Sequence, residues 1–370
     1  MAAVSEEAPR PRLIDAAVAA RFAARFASAS AIDQSYLMEG LADDVAALVA
    51  EAETPVLEET GFVVGSRPIP MVLTRAEWAV ANVEPMLGLM APLVEKAEGR
   101  MGDRGAGWLV RRAYGPAIGA QLGTVLGLLS QRVLGQYDAI GGGRTALEAS
   151  GTTGPSRRAL PPSPPAGNAI WFVGPNLVLT ERRLGFVPRD FRLWVVLHEL
   201  THWAQFGGND WMRGHFLSTV GRLLGSLELD ARPWLERMQA PGQAGLPIAV
   251  RMLSSEQRSL FDQLQAFMSL LEGHGNFVMD RIAERTIPTQ PRMRRTLREA
   301  APGGLVAKLL GRLLGLDLKR LQYEEGQRFF DEILRVGGRA AVAGCFAGPG
   351  TLPTLDEIRS PAAWLERVAP

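Results

Sequence analysis

The sequence predicts a mainly α fold with a small β element. Apolar residues recur at helical spacing through most of the longer segments. Thr74-Arg-Ala-Glu77 and Ser254-Ser-Glu-Gln257 both read as capping boxes, in which a hydroxyl and a side chain three residues on satisfy the first free amides of a helix. The strand signal falls in two short runs, Ala169–Val173 and Leu177–Thr180, separated by Gly174-Pro175.

Taken in order, residues 1–10 are polar and Pro-bearing and read as an arm. Leu13 to Ala27 is an amphipathic helix with Ile14, Val18, Phe22 and Phe26 on one side, and a second helix runs from about Gln34 to Ala52. Pro55 to Pro70 reads as irregular. The first capping box opens a helix to about Glu98. Gly115, Gly119, Gly123 and Gly127 then line one stripe of a helix, which lets another helix approach closely. The apolar run there, Ala117 to Ser130, is shorter than a bilayer and carries Gln121, so a buried helix is expected and no stable membrane span.

Gly135 to Asn168 is rich in Gly, Pro, Ser and Thr. It divides the chain into a helical region (1–140), a Gly/Pro-rich loop or linker (141–168) and a third region (169–370). Phe191 to Phe206 is a helix with Asp190 as its N-cap and Gly207-Gly208 as its stop. Met212 to Met238 is helical in tendency. The second capping box starts a helix to about Arg285, and Gly303 to Val336 is a further helical stretch, weakened at Gly311 and Gly315 and ended by Gly337-Gly338. The tail carries Pro353, Pro361 and an amphipathic Trp364.

Composition bounds the function. With 370 residues, 47% hydrophobic and 21% charged, the chain is globular with room for a large core. A net charge of +1 points to neither nucleic acid nor an anionic membrane. The lone Cys345 excludes an internal disulfide framework and fits a reducing compartment. Met1 to Ser30 lacks a basic segment followed by an apolar run, so a cytoplasmic protein is expected.

One motif carries chemistry. His198-Glu-Leu-Thr-His202 lies inside the expected 191–206 helix. Residues four apart share a helical face, so both imidazoles reach one metal ion. Glu199 then lies near the open side of that metal, where a carboxylate can take a proton from water. The alternative is a chance match on a buried helix. Against it, the chain has only 4 His, and two fall at this spacing. Without a metal the group would also need several hydrogen-bond partners inside an apolar helix.

Zinc held by two His needs a further ligand. Glu272 and His274 interrupt an apolar helix, and residues two apart do not share a face, so one of the pair is expected to bind. Glu272 follows Met268 and Leu271 on the apolar stripe and is the first choice, with His274 the alternative. The other would orient a ligand or donate to a developing charge. Asp280 or Asp210 could accept from the free N–H of a ligating His, although Asp280 also reads as a solvated helix residue. His215, beyond the glycine break, reads as a surface or capping His. Tyr323 is a candidate oxyanion donor or else a half-buried core Tyr.

Five stretches together carry a family resemblance: Leu134-Gly-Gln-Tyr-Asp138, Phe172-Val-Gly-Pro-Asn176, the motif itself, Leu271-Glu-Gly-His274 with Val278-Met-Asp280, and Lys319-Arg-Leu-Gln-Tyr323. On these the chain resembles the actinobacterial zincin-like hydrolases labelled zinc-dependent metalloproteases, some named for association with deazaflavin-coenzyme biosynthesis. The resemblance implies a zincin-like metallohydrolase fold and a zinc site, and it implies no particular substrate. The strands before the motif would then pair with an extended peptide or protein substrate, or else simply pack. Two functions are compatible with these residues: a zinc hydrolase, most simply a peptidase with Glu199 as general base, or a catalytically silent metal-binding scaffold.

Overall fold

The computed structural model describes residues 12–28, 31–101, 106–141, 168–227, 253–299 and 316–368. The fold in these residues is mostly helical. Strands β1 (Ile69–Leu73), β2 (Gly135–Tyr137) and β3 (Ala169–Val173) make one sheet with β3 in the middle. β1 runs parallel to β3, and β2 antiparallel. All of β3 is buried, so it reads as an unbroken apolar run.

Helices α1 (Ala16–Phe26), α2 (Leu41–Thr60), α3 (Arg75–Ala81), α4 (Val83–Met101) and α5 (Ala106–Leu129) precede β2. After β3 come α6 (Gly174–Leu184), α7 (Pro188–Gly207), α8 (Trp211–Ser226), α9 (Ser255–Thr286), α10 (Gln290–Glu299), α11 (Leu316–Gly344), α12 (Leu355–Arg359) and α13 (Pro361–Val368). Contacts group α1, α3, α4 and α5 into one unit and the other elements into a second. Residues 30–74 and 133–141, which precede the Gly/Pro-rich segment, thus group with α7. The reason is physical: β1 and β2 pair with β3, and α2 packs on α7.

In the first unit, Asp15 caps α1 by accepting from the Val18 amide at 2.9 Å. The glycine stripe of α5 faces α1. A Cβ on Gly119 or Gly123 would collide with the carbonyl of Asp15 or Ala19, so only glycine permits this approach. The expected helix from Thr74 to Glu98 is interrupted at Asn82, whose side chain bonds the Trp78 carbonyl at 2.8 Å.

The second unit holds the large core. α9 begins with the expected capping box: the Gln257 amide reaches Ser254 Oγ at 3.2 Å, and the Ser254 amide reaches Gln257 Oε1 at 2.8 Å. α9 and α11 cross where Gly273 meets Gly326, with no room for a side chain at either. α11 breaks at Gly338, which has φ 69°. Trp364 in α13 is buried against Phe329 and donates to the Thr351 carbonyl at 2.8 Å. Burying side chains such as Phe191, Leu197, Trp203, Phe267 and Phe330 stabilises the unit by roughly 1.5–3 kcal/mol each.

Several expectations are corrected. The helix placed at Gln34–Ala52 instead starts at Leu41, behind Gly40 with φ 73°, and runs through Pro55 to Thr60. Val45, Leu48, Val49, Ala52 and Val56 give it one continuous buried face, which offsets the proline's missing bond. Leu177–Thr180 is not a strand: Pro175 sits in the first turn of α6, and Leu177 and Val178 are buried on its inner side. A four-residue run fits either period, and the proline decides. β3, flanked on both edges, has no side left for a substrate strand. Asp190 is not the N-cap of α7: Val187 holds that place, Pro188 is in the first turn, and Asp190 accepts from the Thr289 hydroxyl. The segments 1–10, 142–167, 228–238 and 303–315, on which other expectations fell, lie outside the described residues. Among the described residues, no helix is long and apolar enough to cross a membrane.

Gly123→Val should lower the unfolding temperature, because overpacking a helix contact costs about 1–3 kcal/mol. Gly99→Ala in α4, where a Cβ meets nothing within 4 Å, should leave it unchanged or slightly higher. A thermal scan giving equal temperatures for the two variants would show that α1 and α5 do not approach so closely.

Candidate metal centre

α7 places His198 and His202 one turn apart. Its other side is held by the core through Val196, Leu197, Leu200, Trp203 and Ala204, all nearly without solvent contact. The two Nε2 atoms lie 3.1 Å apart, and the rings meet edge to face at 4.6 Å. α9 runs alongside. Gly275 lets the imidazoles approach: a Cβ there would sit 3.3 Å from His198 Cε1 and 3.5 Å from His202 Cε1. One turn earlier on α9, Glu272 points at the same spot. Its Oε2 is 3.4 Å from His198 Nε2 and 3.9 Å from His202 Nε2.

His198, His202 and Glu272 thus each offer one atom, all within 4.8 Å of one another. Two imidazoles and a carboxylate are a common catalytic zinc set. The imidazole side chains remain 18% and 14% exposed, so a water or substrate can reach the point between them.

His274, the alternative to Glu272, is turned away from this point. Its Nδ1 bonds Gln205 Nε2 at 3.0 Å. The ring is packed among Phe62, Phe277, Phe330 and Phe346, with centroids 4.7–6.3 Å away. Burial, and secondarily the charge of His202, lower its pKa from 6.5 to about 3, so the ring is neutral. Gln205 is wholly buried and was not singled out from the sequence. Its Oε1 lies 2.8 Å from His202 Nδ1, and its Nε2 donates to the Leu271 carbonyl at 3.0 Å. The available signal was its position three residues after His202 on the same helix.

Glu199 is buried at 6% exposure against β2. A Cβ on Gly135 would lie 2.8 Å from Glu199 Oε1 and 2.7 Å from its Cγ, so a larger residue there would push this carboxylate out of its present place. The backbone around Gly135 is fixed from two sides. Val173 N–H donates to the Leu134 carbonyl at 2.9 Å, and the Asn176 side chain donates to the Val133 carbonyl at 2.6 Å. Tyr137 then stacks on Phe206 at the end of α7, 5.6 Å between centroids.

The other candidates are elsewhere. Asp280 is buried and not solvated, and it serves neither histidine. It accepts from Gln290 at 3.2 Å and Gln327 at 2.7 Å, and pairs with Arg294 at 3.0 Å. Burial raises its pKa, with Arg294 opposing. Asp210 is exposed at the start of α8. His215 is half-buried on α8 between Trp211 and Phe267, and burial lowers its pKa. Tyr323 belongs to α11, and its side-chain surroundings lie outside the described residues.

A family model described as zincin-like metallopeptidase matches residues 14–365. No curated protein matches the sequence. Among solved structures, the chain is similar to a candidate hydrolase with a novel fold from Chloroflexus aurantiacus. The two are 27% identical with a TM-score of 0.66, and the match covers 96% of this chain and 98% of the other.

The depressed pKa of His274 has a stability consequence. As pH falls below 6.5 the unfolded chain takes up a proton that the folded ring refuses until about 3. Stability is therefore full above 6.5 and lost on the way down, by about 1.4 kcal/mol per unit. Between pH 7 and pH 5, the metal-free protein should lose about 2 kcal/mol more unfolding free energy in urea than His274→Asn does. Equal losses would show that the ring is not held neutral.

Proposed function

The chain belongs to the zincin-like metallopeptidase family, and from that premise we propose that it is a zinc-dependent hydrolase acting on peptides or proteins. The observation that carries this reading is the convergence of His198, His202 and Glu272 beside a separate carboxylate, Glu199. His198 Nε2, His202 Nε2 and Glu272 Oε2 would hold the ion. His274, engaged by Gln205, supports the ligands without joining them.

Zinc, when bound in such a site, acts as a Lewis acid and lowers the pKa of a water to about 7. The chain's residues do the rest. Glu199, fixed against Gly135, accepts a proton from the attacking water at its carboxylate and returns it to the leaving amine. Packing on Gly135 and the core side of α7 limits its motion, which keeps the proton path short. The narrower likeness to the deazaflavin-associated group rests on the five sequence stretches alone.

Purified protein should carry close to one zinc per chain by elemental analysis, and His198→Ala or His202→Ala should abolish it. Full occupancy in both variants would remove the site from α7. Glu272→Ala should weaken zinc binding more than His274→Ala; the reverse order would make His274 the ligand. In a peptide-library assay, Glu199→Gln should keep zinc and lose turnover by roughly 10²-fold or more. Loss of zinc in that variant would make Glu199 a ligand, and undiminished cleavage would assign the base elsewhere. Metal-loaded wild type that cleaves nothing in the library would favour a silent scaffold.

A further inference from the structure

We propose that Gln205 and His274 are positioning residues that lock His202 as its Nδ1–H tautomer, so that its Nε2 lone pair faces His198 and Glu272. For its metal consequence this rests on the zinc reading above.

The hydrogen-bond partners allow one assignment. The Leu271 carbonyl can only accept, so the Gln205 atom 3.0 Å from it is the NH₂ group. The opposite end of the amide is then Oε1, 2.8 Å from His202 Nδ1. An amide oxygen can only accept, so His202 Nδ1 carries the hydrogen. The second amide hydrogen points to His274 Nδ1 at 3.0 Å, which makes His274 the Nε2–H tautomer. Turning the amide over would set two carbonyl oxygens against each other inside a buried site, where each unmet group is costly. The 3.1 Å contact between the two Nε2 atoms also needs one hydrogen, which the lock assigns to His198.

This explains why an amide stands where many zinc sites use a carboxylate. A carboxylate could accept from His202, but it could not donate to Leu271 or His274. It would bury a charge at a position with no solvent contact.

The test reads tautomers directly. The chain has 4 His, so each ring in a ¹⁵N-labelled sample can be assigned from single His substitutions. Long-range ¹H–¹⁵N spectra of the metal-free wild type at pH 8 should show His202 protonated on Nδ1 and His274 on Nε2. Gln205→Met, of similar length and without polar atoms, should lose the fixed His202 tautomer. Its zinc Kd, from competition with a chelator, should rise by roughly 10–100-fold. Wild-type His202 protonated on Nε2 would overturn the proposal, as would a Gln205→Met variant unchanged in both tautomer and Kd. If that variant fails to fold, the wild-type spectrum alone decides. A chain that takes up no zinc would sink the metal reading and leave the tautomer result standing, since the spectra are recorded without metal.

Discussion

The contact between α7 and α9 beside the histidines is the constraint on which the site depends. Helical periodicity puts His198 and His202 on one face of α7, yet that alone aims two imidazoles at nothing in particular. Gly275 admits the two rings against α9, and the same face of α9 delivers Glu272. Gln205 crosses the gap and ties His202 to Leu271 and His274. Behind both helices the core is closely filled, so their separation is set by packing and not by the polar groups themselves. Gly273 does the same on the far side of α9, where it meets Gly326. The short stretch Leu271-Glu-Gly-His-Gly275 therefore alternates a polar side chain with a close backbone approach.

The small sheet has a narrower task. Its middle strand is buried and paired on both edges, which leaves β2 as the wall next to Glu199. What β2 provides is a glycine backbone held in place by Leu134, Val173 and Asn176. Under the proposed hydrolase reading, that seating would keep Glu199 within reach of the water it is to deprotonate.

Much of this was legible in the sequence where local rules apply. The α7 helix, the capping box of α9 and the close-packed stripe of α5 all follow from spacing and cap chemistry, which act within a few residues. The inward direction of Glu272 followed from its place behind Met268 and Leu271. What was not legible depends on partners far along the chain. Gln205 meets Leu271 and His274 across 66 and 69 residues, and an amide leaves no motif. Asp280 reads as solvated until Gln290, Gln327 and Arg294 are folded around it. Asp190 matches an N-cap, but Pro188 starts the helix earlier and Thr289 claims the carboxylate. Leu177–Thr180 carries too few residues to separate a strand from a helix, and the preceding Pro175 tips it to a helix.

Zinc-edge X-ray absorption of the metal-loaded protein tests the central claim most directly, because it counts the atoms around the ion. The account predicts two imidazole nitrogens with oxygen ligands, all at about 2.0–2.2 Å, no sulfur, and the same imidazole count in His274→Asn. A third imidazole that disappears in His274→Asn would contradict it, as would a shell with sulfur or without imidazole.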